Sequence, residues 1–574
     1  MTTNLIKRVQ YKFVELRAKF LQRIIMHLVN LLNYYKPIKK NIDFSYVGNA
    51  KVGKLLTEGH YIFSGVQFEL DVDNPWRIEL PSTEVEQDLY GFSWLNDLAA
   101  YGNSNARKRA IDWIKNWNFY NSVGKTIGSD PYVTALRCLN LIRNWNFLQR
   151  GLGSDQSETL KYLWRQYKFL RLTCFFYPVG LKKLQILHSI FLLAFSYGMS
   201  RYSQKKMVKQ MCRLLKRLFD TNGHMFGRNP EDLLNCFVIL VEILNINRTN
   251  NYLTQADLKV LRIIEKINAP ILRGLRLGNG SLTRSHGGDM GCNGEIDKYL
   301  VASNVKAPSA ITNMLGFERI NAGRLVLIVD CARPDDSIQA FSPHASCLSF
   351  ELSSGQRPIF VNCGPGGRFG TAYKRYCRST QAHNSCCLGD ISQLEFAYLS
   401  RKKRWPKEMI VDGPRNISVS RHKTLEATWL NLSHDSYEKK YGYIHHRKLL
   451  MLNSGKVFSG TDSFEINNHK KVMQKKVDKF YAYFHLHPDV ELWDHPRLQT
   501  IILRLRNGEH WIFESDLGVV NIEDSSFINS AACEPQKTKR IVIKSSTLRR
   551  KTEIKWSLRR REIVSRNTRD PEFL

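Results

Sequence analysis

The period of the hydrophobic residues changes once along this chain, and that change most constrains its fold. From about residue 85 to about residue 270, apolar residues recur every three or four positions, which is typical of amphipathic helices. After about residue 315 they alternate with period 2, as in half-buried strands. We therefore predict an α+β multidomain protein, with a helical part followed by an antiparallel β part.

Short polar or Gly-containing breaks divide the helical part into segments, as expected of antiparallel helix pairs. Segments with an apolar stripe lie near 85–101, 104–118, 131–148, 156–170, 180–198, 203–219, 230–246 and 253–266. The clearest helix start is Asn229, an N-cap residue followed by Pro230 and two acids. The segments contain Trp94, Trp113, Trp117, Trp145 and Trp164. Large aromatic side chains dominate burial, so we expect these tryptophans in the core more than at a sugar-binding surface.

The β part contains one strand pattern and two hairpin patterns. The predicted strands are Arg324–Asp330, Cys347–Leu352, Pro358–Asn362, Ile501–Arg506 and Glu509–Glu514. A Ser-Ser-Gly turn joins the second and third strands. Asn507-Gly508, a strong short-range hairpin signal, joins the last two. With the β-like runs that follow, these patterns indicate a large β-sandwich.

Residues 1 to about 40 read as one basic amphipathic helix. Its apolar face would comprise Leu5, Val9, Phe13, Leu16, Phe20, Ile24, Leu28 and Leu31. Lysines and arginines interrupt this segment, so it lacks the apolar run of a signal peptide. Two interpretations remain open: a helix lying on an anionic membrane surface, or a helix packed on the body of its own protein.

The chain is strongly basic, with 85 Lys and Arg against 52 Asp and Glu and a net charge of +33. This excess favours polyanionic partners: nucleic acid, anionic lipid or acidic glycan. No helix-turn-helix or RNA-binding signature is present, so we do not expect a specific nucleic acid. Twelve cysteines without any C-x-x-C indicate buried free thiols in a reducing compartment. A cytoplasmic or membrane-peripheral location is favoured over secretion.

Histidines and basic residues beside strands are the informative chemical groups, since P-loop, zinc-protease and serine-hydrolase motifs are absent from the sequence. They lie in the stretches Ser342-Pro-His-Ala-Ser-Cys-Leu-Ser-Phe-Glu351, Val361-Asn-Cys-Gly364 and Tyr373-Lys-Arg-Tyr-Cys-Arg-Ser-Thr-Gln-Ala-His-Asn384. On the helical side, Asn222-Gly-His224 precedes Arg228. In this order, from about residue 45 to about residue 560, the chain resembles the heparinase II/III family, in particular its divergent α-proteobacterial members.

The resemblance implies an incomplete (α/α) toroid followed by an antiparallel β-sandwich, with an acidic-glycan groove between them. The implied domains are a basic helix at 1–45, a toroid at 46–310 and a sandwich at 311–574. It also implies a polysaccharide lyase that acts by β-elimination on a uronate-containing polysaccharide, which would place the protein in the periplasm. Such a reaction needs a group that neutralises the uronate carboxylate, a base and an acid.

On the sandwich side the family pattern is partly retained. Ser342 stands where the family has the first histidine of H-x-H-A-D, and His344 matches the second. Asn362 replaces the aspartate of V-D-P-G, and His383 is retained. Some relatives hold a structural zinc with these positions. A neutral Asn362 is a poor zinc ligand, so we expect no cofactor and a hydrogen-bonded cluster instead.

The helical side departs further from the family. The G-N-H motif aligns to Leu181-Lys182-Lys183, and an acid occupies the position of the usual tyrosine. The predicted catalytic residues are therefore His344, His383, Tyr376 and His224, and the predicted substrate-binding residues are Arg378, Arg228, Lys182, Asn384 and Asn362. The alternatives are a structural role for the His344 and His383 pair and a capping role for His224. At the level of function, the alternative to a lyase is a non-catalytic acidic-glycan-binding or envelope polysaccharide assembly protein.

Overall fold

The structure, a computed structural model, describes most of the chain between residues 20 and 561. The described ranges are 20–39, 48–64, 66–68, 74–120, 127–291, 293–306, 314–334, 343–398, 408–466, 477, 479–495, 500–516, 520–529, 534–545 and 551–561. Two compact units are formed, Met1–Asn222 with Val238–Ile264, and Gly223–Phe237 with Glu265–Leu574. The domain boundaries at residues 45 and 310 remain predictions.

Helices dominate the first unit. They are α1 (20–30), α2 (Ala50–Thr57), α3 (Thr83–Tyr90), α4 (Trp94–Tyr101), α5 (Ser104–Tyr120), α6 (Pro131–Arg143), α7 (Trp145–Leu152), α8 (Gln156–Thr173), α9 (Leu181–Ser196), α10 (Arg201–Leu218), α11 (Pro230–Asn250) and α12 (Gln255–Gly274), of which the last two extend into the second unit. The five tryptophans named above are buried, as predicted. Asn229 caps α11 by accepting the backbone N–H of Glu231 at 2.8 Å, which confirms the predicted start.

Three helix predictions were wrong in their extent. The segment near 85–101 is two helices, because Phe92 adopts a left-handed φ of 62° between α3 and α4. The segment near 131–148 breaks at Asn144 between α6 and α7. In contrast, α12 continues through Pro270 instead of ending near residue 266.

The predicted N-terminal helix lies mostly outside the described residues, which begin at Phe20. Within α1, Met26 and Val29 are buried, whereas Phe20, Ile24 and Leu28 of the predicted apolar face are exposed. Lys39 donates its backbone N–H to Ser196 O at 2.8 Å, which fastens the segment after α1 to the end of α9. Among the described helices, none is long and apolar enough to cross a membrane.

Antiparallel sheets form most of the second unit. Their strands are β3 (Phe317–Ala322), β4 (Leu325–Asp330), β5 (Phe350–Ser354), β6 (Arg357–Phe360), β7 (Cys386–Leu388), β8 (Glu395–Tyr398), β9 (Glu408–Asp412), β10 (Ile417–Lys423), β11 (Ala427–His434), β12 (Tyr443–Leu452), β13 (Val457–Ile466), β14 (Phe480–His485), β15 (Glu491–His495), β16 (Thr500–Arg504), β17 (His510–Ser515), β18 (Val520–Phe527), β19 (Gln536–Ser545) and β20 (Lys551–Arg561). Strands β1 (Tyr61–Phe63) and β2 (Val66–Phe68) pair in the first unit. Helices α13 (Asn293–Ala302), α14 (Thr371–Arg378) and α15 (Glu438–Tyr441) complete the second.

The sheets of the second unit enclose one aromatic core. An eight-stranded sheet has the order β10-β11-β12-β13-β20-β17-β16-β15, and two four-stranded sheets have the orders β3-β4-β5-β6 and β18-β19-β14-β7. Residues of all three share the core, including Phe350, Phe484 and Trp556, whose rings contact one another. The β5–β6 and β16–β17 hairpins confirm both predicted hairpins. The alternating pattern thus identified the sandwich correctly.

Candidate functional site

His344 and His383 form the centre of a buried polar cluster in the second unit. Helix α14 and a short 3-10 turn at Thr380–Ala382 carry His383 into contact with His344, which precedes β5. His344 Nδ1 and His383 Nε2 are 3.2 Å apart, and both side chains are buried. The His-Ala and Ala-His-Asn motifs therefore meet in space, although 39 residues separate the two histidines.

Hydrogen bonding fixes the tautomers of this pair. His383 Nδ1 lies 2.7 Å from Ser379 O, and a carbonyl oxygen only accepts, so Nδ1 carries the proton. His383 Nε2 then accepts from His344 Nδ1–H, which leaves His344 Nε2 with a lone pair. Burial lowers the pKa of His383 to about 4. Burial, then His383 and Arg378, lower the pKa of His344 well below its usual value, so both rings are neutral at pH 7.

A second chain of polar groups joins the cluster from the loop before α13. His286 Nδ1 accepts the backbone N–H of His344 at 3.4 Å, so His286 Nε2 carries a proton toward Asp330 Oδ2 at 3.1 Å. Arg228 Nη2 donates to Asp330 Oδ1 at 2.5 Å. Burial alone would raise the pKa of Asp330, but the charge of Arg228 and the hydrogen bonds from His286 and Ser346 hold it well below the usual carboxyl range. His286 also has a left-handed φ of 52°, a conformation that costs free energy.

The residues present do not fit the zinc site of some relatives. Asn362 Oδ1 accepts the backbone N–H of Asn384 at 3.1 Å, and its Nδ2 faces Arg284 O at 3.4 Å. Both ring nitrogens of His383 are already hydrogen-bonded. Zinc requires several unprotonated nitrogens and prefers an anionic partner, whereas these three residues offer only His344 Nε2 and no carboxylate. We expect the cluster to hold its geometry through hydrogen bonds instead.

A further set of possible metal ligands lies in the core, where Cys386, His445 and Asp462 approach within 4.8 Å. Its carboxylate is already engaged, because Arg447 Nε, His445 Nε2 and Trp556 Nε1 lie 2.6, 3.0 and 3.0 Å from Asp462 oxygens. A guanidinium held at a carboxylate repels a cation. These residues form a buried ion-pair network, and the geometry does not fit a metal ion.

The other predicted site residues have varied surroundings. Arg378 is buried, donates from Nε to Pro343 O at 3.1 Å and stacks on Phe396. Arg228 also donates to Leu315 O, Gly316 O and Ala332 O, so internal acceptors engage its guanidinium. His224 is half-buried in the loop before α11. Lys182 belongs to the first unit, where it lies over Tyr132.

Tyr376 lies in the last turn of α14 and is half-buried. Its hydroxyl is 3.4 Å from Arg540 Nη1. Burial, then the neighbouring Cys363, raise the pKa of Tyr376. Asn384 links the cluster to the sheets, because its Nδ2 donates to Phe350 O at 2.8 Å and its Oδ1 accepts the backbone N–H of His485. Ser342, the position of the missing family histidine, lies outside the described residues.

A neighbouring polar group surrounds His485, the last residue of β14. His485 Nε2 donates to Gln381 O at 2.9 Å, so its Nδ1 accepts from Ser525 Oγ at 2.7 Å. Burial, then Arg540, lower the pKa of His485 to about 3, and burial raises the pKa of the nearby Cys363 thiol. A neutral thiol and a weakly basic imidazole make a poor nucleophile and base. Both ring nitrogens of His485 are bonded within the second unit, as in a satisfied strand residue.

The His344–His383 cluster is better suited to binding and orienting a ligand than to transferring protons. His344 Nε2 has the only lone pair that the described His344–His383 bonds leave unused. An imidazole with a strongly lowered pKa is a weak base at neutral pH. The predicted carboxylate-neutralising Arg228 is held by Asp330 and by backbone carbonyls. The cluster contains residue types that a lyase site would use. Its hydrogen bonds, however, are those of a network that stabilises the structure.

Comparison with known proteins identifies the fold. Over 96% of this chain and 91% of the other, the structure is similar to the crystal structure of heparinase III, with a TM-score of 0.68 and 11% identity. A heparan sulfate lyase from Pedobacter heparinus matches 97% of this chain and 89% of its own, with a TM-score of 0.50 and 13% identity. The fold is therefore a helical toroid followed by a β-sandwich, as predicted.

Sequence comparison finds a heparinase II/III-like domain in the second half of the chain. Residues 305–557 match the family model "Heparinase II/III-like, C-terminal". This match covers the sandwich, whereas the similarity of fold to heparinase III extends over 96% of the chain. The chain is also 22% identical to FtsZ-localized protein C of Caulobacter vibrioides over 524 residues, which is 89% of this chain and 88% of that protein.

Proposed function

We propose that this protein binds an acidic, uronate-containing polysaccharide and has lost efficient cleavage. One observation supports this most directly: His344, His383 and Arg228, which a lyase would use on its substrate, are buried and bonded to other parts of the same chain. The heparinase-like fold and the net charge of +33 favour an acidic glycan as the ligand.

Binding and cleavage can be separated in one experiment. The protein is incubated with heparan sulfate, hyaluronan and alginate while ultraviolet absorbance of unsaturated uronates is followed, and binding is measured in parallel by calorimetry. We expect binding with a flat absorbance trace. An absorbance rise that His344→Ala abolishes would overturn the loss of cleavage, and absence of binding to every acidic glycan would overturn the glycan proposal.

A retained lyase is the second candidate, and the lone pair on His344 Nε2 favours it. In that case His344 would remove the proton α to the uronate carboxylate and Tyr376 would protonate the leaving oxygen. Tyr376→Phe would then slow cleavage without changing the affinity for glycan. A variant of the exposed Tyr373, Tyr373→Phe, serves as the control from the same helix.

We also propose that α1 lies on an anionic membrane surface. Phe20, Ile24, Leu28 and Leu31 follow one helical face and are 65%, 42%, 58% and 66% exposed. Such an exposed apolar row, in a segment whose sequence is rich in Lys and Arg, is typical of helices that lie in a lipid interface. The buried Met26 and Val29 occupy another side of α1, so burial there leaves the row exposed.

Vesicle sedimentation tests this surface. The protein should sediment with vesicles of phosphatidylglycerol and much less with phosphatidylcholine vesicles. Leu28→Glu should abolish sedimentation, whereas Leu425→Glu, which changes a residue that is 98% exposed on the sandwich, should not. Equal sedimentation of both variants would contradict the proposal.

We also propose a role in envelope polysaccharide assembly where FtsZ lies, because a relative that matches 89% of this chain is an FtsZ-localized protein. A fluorescent fusion of the protein should then colocalise with FtsZ in dividing cells. A diffuse signal, or a uniform signal over the whole membrane, would contradict this role and leave glycan binding untouched.

A further inference from the structure

Arg284 is a buried arginine whose outer nitrogens lack acceptors. Its side chain is 3% exposed, and it lies in the loop that also carries His286. Nη1 and Nη2 are both shielded from solvent and have no hydrogen-bond partner among the residues that the structure describes. A buried charge whose donors are unsatisfied is unfavourable, so such donors call for a partner such as an ordered water or a bound anion.

Glu351 does not use up this guanidinium. Its Oε1 is 3.5 Å from Arg284 Nε, but it already accepts the backbone N–H of Asn362 at 2.8 Å. Its Oε2 accepts the backbone N–H of Arg284 itself at 3.0 Å. Glu351 thus positions the arginine from the Nε side and leaves the Nη1–Nη2 edge unengaged.

Phe527 covers one face of the same guanidinium, with its ring centre 3.9 Å from Arg284 Cζ. An arginine that is stacked on one face and unengaged along its outer edge is oriented to bind a carboxylate with two parallel hydrogen bonds. The ring of His487 also packs on Phe527, at 4.9 Å. Arg284 and His487 are therefore both in contact with the Phe527 ring.

His487 supplies a donor and reaches solvent. Its Nδ1 accepts the backbone N–H of Asp489 at 3.2 Å, so the neutral ring carries its proton on Nε2. The side chain is 16% exposed. Burial, then the positive charges of Arg284, Arg506 and Arg357, lower the pKa of His487 to about 3. These three arginines therefore act on the His487 ring.

We propose that Arg284 and His487 form a binding site for one carboxylate group of an acidic sugar. Arg284 donates from Nη1 and Nη2 to the two carboxylate oxygens, and His487 donates from Nε2. The inference that the ligand is an acidic sugar rests on the proposed function. The inference that the site binds an oxyanion rests on Arg284 and His487 themselves. All the groups lie in the second unit.

Calorimetry with sodium glucuronate tests the site, with glucose and sodium sulfate as comparison ligands. We expect glucuronate to bind, sulfate to bind more weakly and glucose not to bind. Arg284→Lys keeps the charge beside Glu351 but loses the planar edge, and it should weaken glucuronate binding by about tenfold or more. Arg504→Gln removes a surface arginine of β16 and should change the affinity less than about twofold. Equal affinities for the wild type and Arg284→Lys would overturn the site.

A direct measurement covers the possibility that Arg284→Lys does not fold. Crystals of the wild-type protein are soaked in selenate, and the anomalous difference map is calculated. A selenium peak beside Arg284 and His487 is expected, and its absence would overturn the site. Binding of heparan sulfate that Arg284→Lys leaves unchanged would overturn the site while sparing the proposed function. Glucuronate binding at Arg284 without binding of any polymer would support the site and overturn the proposed function.

Discussion

At the scale of single residues, the core of the sandwich is organised around Asp462, a buried carboxylate. Arg447 donates to both of its oxygens, at 2.6 and 3.1 Å, and all of these groups are buried. Removing one partner of a buried ion pair costs about 3–5 kcal/mol, because the other charge is left uncompensated. We expect Arg447→Met to reduce the free energy of unfolding by that amount in urea titrations. Arg504→Met, which breaks an exposed pair with Glu491, should cost less than about 1 kcal/mol.

The buried histidines make stability depend on pH. Below about pH 6.5 the unfolded chain binds protons that neutral folded histidines do not, so stability falls as pH decreases. For His383, whose pKa is lowered to about 4, the loss reaches roughly 3 kcal/mol at pH 4. Urea midpoints measured between about pH 7 and about pH 4 should fall steadily as the pH decreases. His383→Gln should flatten this decrease, the exposed control His422→Gln should not, and a flat wild-type profile would contradict the prediction.

The sequence predicted the members of the histidine cluster but not its connections. His344 and His383 could be found because they lie in recognisable motifs beside strands. The path through His286 and Asp330 could not, because it depends on how a loop folds against the end of β4. The Ser-His-Gly-Gly sequence at 285–288 was the available signal, since paired glycines often accompany an unusual backbone conformation.

At the scale of elements, β13 packs closely against β20 because Gly460 of β13 has no side chain. A Cβ on Gly460 would lie 2.2 Å from Cζ2 of Trp556. Gly460→Ala should therefore displace the indole and cost about 1–3 kcal/mol, as overpacked cores do. Gly294→Ala in α13, where a Cβ would meet nothing within 4 Å, should be neutral or stabilising. Thermal unfolding midpoints of the two variants measure the contrast, and equal midpoints would refute it.

Strands and hairpins were more predictable than helix ends. Alternation and the Asn507-Gly508 turn are local signals, and Gly508 has the positive φ of 83° that such a turn requires. The break at Phe92 and the continuation of α12 through Pro270 run against local preference. Tertiary packing decides such positions, so an apolar stripe alone could not place them.

At the scale of the whole molecule, the charge of +33 acts on any polyanion, whereas the proposed Arg284 site acts on a carboxylate. The two contributions differ in their response to salt, since the screening length shrinks from about 10 Å at 0.1 M to about 3 Å at 1 M. A buried fork with paired hydrogen bonds is screened much less than exposed lysines. Raising the salt concentration therefore separates attraction of polyanions by the net charge from recognition of a carboxylate by the Arg284 site.

Two polymers make that separation measurable: hyaluronan, which carries uronates without sulfate, and dextran sulfate, which carries sulfate without uronates. At low salt both should bind, because the net charge attracts either. Near 1 M salt we expect dextran sulfate binding to be lost and part of the hyaluronan binding to persist, with screening reduced to about 3 Å. Arg284→Lys should remove the persistent part without changing the low-salt behaviour. If binding to dextran sulfate persists near 1 M salt and binding to hyaluronan does not, the protein recognises sulfate density. A uronate-directed function would then be wrong.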